Sequence, residues 1–102
     1  MTTQDVIAKV EAIGQSFAVV MKEHGIRSMH AMPGDVSELP VQQFIEVCEH
    51  FQTQPSIGIW PTAWVKCEGV EVYIRCEKVE VPEVKMDALA TLRELVPTAN
   101  AA

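Results

Sequence analysis

The sequence predicts a small α+β domain, with one antiparallel sheet of three to five strands flanked by three helices. The first observation behind this is alternation of apolar and polar residues on both sides of Glu68-Gly69, which is typical of a β-hairpin. The second is a three-and-four spacing of apolar residues in three other stretches, which indicates helices. The predicted hairpin covers residues 63–76, and the predicted helices cover about 4–24, 40–51 and 84–96.

The first predicted helix, residues 4–24, has its apolar side chains on one face. They are Val6, Val10, Ile13, Phe17, Val20, Met21 and His24. Thr2 or Thr3 can supply the N-cap, and Gly25 suits the left-handed residue that ends a helix. Gly14 inside the helix costs about 1 kcal/mol relative to Ala, so it indicates close packing at that point.

Residues 26–39 allow two interpretations. Pro33-Gly34-Asp35 is a turn signal that would join two short arms into a first hairpin, but the arms alternate poorly and an ordered loop fits equally. The second helix, 40–51, begins with Pro40 in its first turn. Residues 56–60 predict a brief strand that ends at a proline.

The main hairpin has two distinct faces if Glu68 and Gly69 form its loop. An apolar face, expected to meet the core, carries Ala63, Val65, Cys67, Val70, Val72, Ile74 and Cys76. On the other face Trp64 lies across from Tyr73 and Lys66 across from Glu71. The third helix, 84–96, then turns Met86, Leu89, Leu92 and Leu95 or Val96 inward.

The polar face of the hairpin is the candidate binding surface. Its residues are Trp60, Trp64, Lys66, Tyr73 and Arg75, and Trp, Tyr and Arg are the residue types most enriched in binding hot spots. The alternative is that a helix covers this face and makes the aromatic rings part of the core. A secondary contact patch consists of Met29, His30 and Met32, with a loop folded onto the core as its alternative.

No residue pattern predicts catalysis, a metal site or a cofactor. Cys48 and His50 are two positions apart on a predicted helix and point away from each other, and no C-x-x-C or H-x-x-x-H spacing occurs. The phosphate-binding loop, dinucleotide-binding and serine-hydrolase motifs do not occur either. We therefore expect a protein that is not an enzyme and holds no metal or cofactor.

Charge and cysteine content limit the partners. The net charge of −6 makes nucleic acid an unlikely general partner and favours another protein that presents a basic surface.

The first ten residues lack the pattern of a secretory signal, and three cysteines are an odd number, so we expect reduced thiols and a cytoplasmic location. No apolar run is long enough to cross a membrane.

A compact, acidic domain without a catalytic motif is compatible with a small accessory protein. Residues 1–96 are expected to form one domain, followed by a fraying tail at 97–102. The leading hypothesis is a non-catalytic protein-binding module, such as a small inhibitor, an antitoxin-like protein or a phage-type accessory factor. One alternative is a domain that binds single-stranded nucleic acid through Trp64, Tyr73, Lys66 and Arg75. Another is a structural component that forms a homodimer or larger homo-oligomer.

Overall fold

The computed structural model describes residues 2–34, 38–81 and 87–96. Within these ranges the chain forms three helices and a three-stranded mixed sheet, so the predicted α+β class is confirmed. In chain order the elements are α1 (Thr3–His24), β1 (Met29–Ala31), α2 (Val41–His50), β2 (Thr62–Cys67), β3 (Val70–Arg75) and α3 (Ala88–Arg93). Val84–Met86 of the predicted third helix and the predicted tail at 97–102 lie outside the described residues.

The hairpin forms in the predicted register. Cys67 pairs with Val70 and Val65 with Val72, and the ladder continues to Thr62 and Arg75. This register is the one that a two-residue loop at Glu68-Gly69 produces. Both loop residues have positive φ, 55° at Glu68 and 80° at Gly69, as a type I′ turn requires. The core face is confirmed, because Ala63, Val65, Val70, Val72, Ile74 and Cys76 are all buried.

The sheet is mixed, so the prediction of a purely antiparallel sheet was wrong in this respect. The strand order is β1-β3-β2, and β1 runs parallel to β3 with Met29 beside Val70. The α1 helix runs toward the hairpin turn, where Met21 lies beside Gly69, and the chain then reverses at Gly25. Strand β1 therefore leaves the turn in the same direction as β3.

The same topology bears on two other local predictions. Met29–Ala31 pairs with β3, and residues 35–37, which the second arm of a hairpin around Pro33 would include, lie outside the described residues. Leu39 forms a further parallel bridge with Cys76 on the same side of β3. The brief strand predicted at 56–60 is reduced to one antiparallel bridge between Ser56 and Thr62. The pairing of β1 and Leu39 with β3 joins residues that are distant in the sequence. Local alternation of apolar and polar residues therefore does not predict it.

Helix α1 packs tightly only along part of its length. A Cβ atom at Gly14 would lie 2.8 Å from the Cys67 Sγ atom, so the close approach expected there is present. Val6, Ile7 and Val10 are buried, but Val20 is 37% exposed and His24 is also exposed, contrary to the predicted inward face.

Helices α2 and α3 complete the core. In α2 the buried side chains are Phe44, Ile45, Val47 and Cys48. In α3 Asp87 is the N-cap, accepting hydrogen bonds from the backbone N–H groups of Leu89 (3.0 Å) and Ala90 (3.3 Å). Side chains from all three described helices belong to the same buried cluster as the core face of the sheet. No described helix is long and apolar enough to span a membrane.

Candidate functional site

The second face of the sheet carries the predicted binding surface. We call it the open face and define it by Trp64, Lys66, Tyr73, Arg75 and His30. Its side chains alternate with the buried residues of β2 and β3, so the strand geometry turns them away from the core. Trp64 is 39% exposed, which shows that the described helices do not seal its ring.

Three aromatic rings form a contiguous cluster on the open face. Trp64 and Tyr73 are direct cross-strand neighbours, with ring centroids 5.1 Å apart at an interplanar angle of 60°. The His30 ring meets Trp64 edge-on, with centroids 5.2 Å apart and planes at 75°. Tilted and edge-to-face arrangements are those that aromatic quadrupoles favour. The three rings therefore hold one another in place.

The parallel pairing of β1 brings together two regions that the sequence treated separately. His30 belongs to the predicted secondary patch, yet its ring contacts Trp64 of the main surface. Met32 is 69% exposed, whereas Met29 is half-buried and packs against the core. The secondary patch is thus divided between the two faces, and only His30 and Met32 are exposed.

Glu71 lies across from Lys66, as predicted, but its carboxylate is closer to His30. Lys66 and Glu71 are opposite each other in the ladder, but the Glu71 Oε1 atom lies 3.4 Å from the His30 Nε2 atom instead. Among the residues that the structure describes, no carboxylate lies within ion-pair distance of the Lys66 ammonium group. Lys66 is exposed.

Arg75 connects the cluster to Trp60. Its guanidinium carbon lies 5.7 Å from the centroid of the Trp60 ring, within the range of a cation–π contact. Its Nη2 atom is 3.7 Å from the Glu38 Oε1 atom, too far for a hydrogen bond. Among the residues that the structure describes, its buried Nε atom has no hydrogen-bond partner. Trp60 itself is 44% exposed, and the neighbouring Ile59 is 59% exposed.

The outer edge of β2 borders the open face. Thr62 exchanges two backbone hydrogen bonds with Ser56, of 2.8 and 3.1 Å, and the Cys76 N–H group donates to the Pro61 carbonyl on the inner side. Because hydrogen-bonding direction alternates along an antiparallel strand, the backbone groups of Trp64 and Lys66 also point outward. The edge beyond Thr62 is therefore available for pairing as far as the described residues are concerned.

A shallow groove lies beside the open face, next to strand β1. It has a volume of about 350 Å³ and is lined by Ile13, Phe17, His30, Ala31, Met32 and Pro33. A larger groove, of about 470 Å³, lies between residues 57–59 and 78–81. Neither groove was predicted, because each combines segments that are far apart in the sequence.

The described thiols are unsuited to nucleophilic chemistry. Burial raises the pKa of Cys48 to about 12, and burial likewise raises the pKa of Cys76 to about 12. Burial also raises the pKa of Cys67, which packs against Gly14. All three are free cysteines. Thiols held in the protonated form are weak nucleophiles and poor metal ligands.

The other candidate ligands and bases are dispersed. His50 packs edge-on against Phe51 with ring centroids 4.8 Å apart, and His24 is exposed in the last turn of α1. Across residues 2–34, 38–81 and 87–96, no three His, Cys, Asp or Glu side chains are grouped so that they could hold a metal ion.

Comparison with protein-family models, curated proteins and solved structures gives no match. Function has to be inferred from the geometry of the chain itself.

Proposed function

We propose that this chain is a non-catalytic protein-binding module that contacts its partner through the open face. The observation that supports this proposal most directly is the exposure of the Trp64 ring within the His30–Trp64–Tyr73 cluster. An exposed aromatic cluster on a pre-formed sheet loses little side-chain freedom on binding, which favours affinity. Small inhibitors, antitoxin-like proteins and phage-type accessory factors are the kinds of protein that act in this way.

The position of the exposed apolar side chains supports this proposal. Trp64 belongs to the open face, Trp60 contacts Arg75 of that face, and the exposed Met32 lines the same groove as His30. Aromatic residues and Arg are enriched at interface cores, and Lys is depleted there. Trp64 is thus the expected anchor, and Lys66 is expected at the rim.

The experiment is a quantitative affinity capture from the native host with wild-type protein, Trp64→Ala and Val19→Ala. Val19 is 57% exposed on α1, outside the open face, and serves as the matched control. We expect at least one protein whose recovery falls by about tenfold or more with Trp64→Ala and is unchanged with Val19→Ala. Equal recovery of every captured protein by all three forms would contradict the proposal, provided that circular dichroism shows each form folded.

A second candidate, binding of single-stranded nucleic acid, is favoured by the proximity of the aromatic cluster to Lys66 and Arg75. Bases stack on such rings, and the two cations can meet phosphates. Glu71, which lies directly across from Lys66, and the net charge of −6 oppose it. Titration of labelled oligo(dT) at increasing salt tests this candidate, because phosphate contacts give a steep loss of affinity with salt.

The cytoplasm is the proposed location. Three free cysteines, two of them buried in the core, suit a reducing compartment. Labelling of thiols in intact host cells, with Cys67 as the half-buried reporter, tests this proposal. A disulfide-linked form isolated from cells would contradict it.

A further inference from the structure

We infer that the partner adds an extended segment of its own chain to the outer edge of β2, as an antiparallel strand beside Trp64 and Lys66. The inference rests on the proposed function and specifies how the partner is held at the border of the open face. Such pairing joins backbone to backbone, so the ligand at this edge is a polypeptide.

The backbone of β2 directs alternate residues toward β3 and toward the outer edge. Cys67 and Val70 flank a two-residue loop, which makes them a hydrogen-bonded pair of the hairpin. Counted back from Cys67, the N–H and C=O groups of Lys66 and Trp64 therefore point away from β3. These two residues are about 7 Å apart along the strand, which is the repeat at which an antiparallel neighbour presents its own backbone groups.

The chain already places one of its own residues beside this edge. Ser56 exchanges hydrogen bonds of 2.8 and 3.1 Å with Thr62 in an antiparallel bridge. The residues before Ser56 do not continue the bridge, and the Thr53 N–H group donates to a carbonyl of α2. Within the described ranges no residue pairs with the outward groups of Trp64 or Lys66. The edge thus accepts antiparallel backbone at Thr62 and has room for its continuation.

An added strand would also extend the aromatic row of the open face. Residues opposite each other in an antiparallel ladder point to the same face, so the partner residue across from Trp64 would lie along its ring. Tyr73 occupies the inner flank of that ring, with centroids 5.1 Å apart, and 39% of Trp64 remains exposed. An aromatic or β-branched side chain suits the outer flank, since such residues pair favourably with an aromatic residue across strands.

Lys66 favours a segment of another protein over a second copy of this chain. Thr62 is already bonded to Ser56, so two copies would have to pair through Trp64 and Lys66. The two-fold register that pairs these residues with each other makes the two Lys66 side chains diagonal neighbours on one face. Their like charges oppose this arrangement, whereas a foreign segment carries no obligatory cation at that position.

The outward groups of β2 also distinguish a polypeptide from a single-stranded DNA. Trp64 and Lys66 each present one donor and one acceptor at the edge, and an extended polypeptide answers both at alternate residues. The sugar–phosphate backbone of DNA has acceptors but no donors. Bases could stack on the rings of the open face, but the backbone groups of the edge would not be satisfied.

The substitution Lys66→Pro, compared with Lys66→Ala, tests the inference. Both remove the ammonium group, but only proline removes the outward N–H group. That group takes no part in pairing with β3, so the hairpin should be retained. In the affinity capture with Trp64→Ala, we expect recovery of the Trp64-dependent protein to fall about tenfold or more with Lys66→Pro and to stay near the wild-type level with Lys66→Ala.

A second measurement uses the wild-type protein and does not depend on the folding of a variant. Linear peptides are selected on it from a random library displayed on phage, and each is then N-methylated at one backbone position at a time. We expect binding to weaken about tenfold at every second position of the paired stretch and to change little at the positions between. Alternate N–H groups of an added strand face β2, and the others face away from it.

The remaining outcomes separate the inference from the proposed function. Equal recovery by folded Lys66→Pro and Lys66→Ala, or N-methylation effects that do not alternate, would overturn the inference. Capture that still depends on Trp64 would then leave the proposed function standing. An alternating pattern without any dependence of capture on Trp64 would support pairing at the edge and contradict the proposed function. A wild-type dimer that Lys66→Pro dissociates would replace the foreign segment with a second copy and overturn the inference.

Discussion

The His30 ring lies edge-on against the Trp64 ring, with centroids 5.2 Å apart, although β3 separates their strands in the sheet. This contact joins β1, which follows the chain reversal at Gly25, to strand β2 of the hairpin. It depends on the parallel pairing of β1 with β3, and it produces one continuous aromatic surface from two segments that are far apart in the sequence.

Accessibility of the two indole rings is the most direct test of the open face. Trp60 and Trp64 are 44% and 39% exposed, so acrylamide and iodide should quench their fluorescence in the folded protein nearly as well as in urea. Trp60→Phe isolates the signal of Trp64. Strong protection of that signal in the folded state, relieved only by unfolding, would show that the face is covered.

Gly14→Ala should destabilise the protein although Ala is the better helix former. The new Cβ atom would lie 2.8 Å from the Cys67 Sγ atom and 3.0 Å from its carbonyl oxygen. Overpacking costs about 1–3 kcal/mol, and the gain in helix propensity offsets about 1 kcal/mol of that. Urea unfolding measures the difference. Gly58→Ala, with open space around its Cβ position, is the control and should stay within about 0.5 kcal/mol of wild type.

Removing the Asp87 cap should loosen α3. Its carboxylate accepts hydrogen bonds from the N–H groups of Leu89 and Ala90, so Asp87→Ala should lower the free energy of unfolding by about 1 kcal/mol. Asp87→Asn keeps an oxygen acceptor and should recover most of that loss. Equal destabilisation by both substitutions in urea unfolding would argue against the cap.

Alkaline pH should destabilise the fold through the buried thiols. Burial raises the pKa of Cys48 and of Cys76 to about 12, whereas the pKa of a thiol in the unfolded chain is near 9.0. The contribution of these two thiols to the free energy of unfolding is therefore fully present below pH 9. It is lost as the pH rises from there toward 12. The urea midpoint should fall over this range, and less steeply in Cys48→Ala. Iodoacetamide at pH 8 should label Cys67 before either buried thiol.

Lys66 is expected to protect the outer edge of β2. The backbone groups of Trp64 and Lys66 point outward there, and a charged side chain on an exposed edge discourages pairing between molecules. Lys66→Val should increase association, measured by light scattering at low and high protein concentration, whereas Lys22→Val on α1 should not. An unchanged mass at both concentrations would indicate that another feature protects the edge.

The hairpin shows what the sequence could predict. Strict alternation around Glu68-Gly69 determines which side chains face the core, and the observed register from Cys67–Val70 to Thr62–Arg75 follows from it. Gly14 is a similar case, since a glycine within a helix indicated the close approach to Cys67. Signals of this kind are local, so they can be read from neighbouring residues.

Strand β1 and the ion pairs of the open face show what the sequence could not predict. Three residues are too few for alternation to be recognised, and a parallel partner leaves no local pattern. Because β1 lies beside β3, the His30 Nε2 atom is 3.4 Å from the Glu71 carboxylate. The alternation of the hairpin strands had indicated only that Glu71 lies across from Lys66. The predicted positions of Trp64, Lys66, Tyr73 and Arg75 in the hairpin register are confirmed, but the contacts of their side chains depend on the tertiary arrangement.

The central strand of the sheet is also the last of the three to leave the ribosome. While β3 is still unsynthesised, neither Met29–Ala31 nor the Thr62–Cys67 strand has its hydrogen-bonding partner. A nascent chain that stops short of Val70 thus has helices with no sheet to cover, and their apolar faces are exposed to chaperones or to aggregation. Completion of β3 supplies the hydrogen-bonding partner of both other strands, so the three-stranded sheet cannot form before Arg75 has been synthesised.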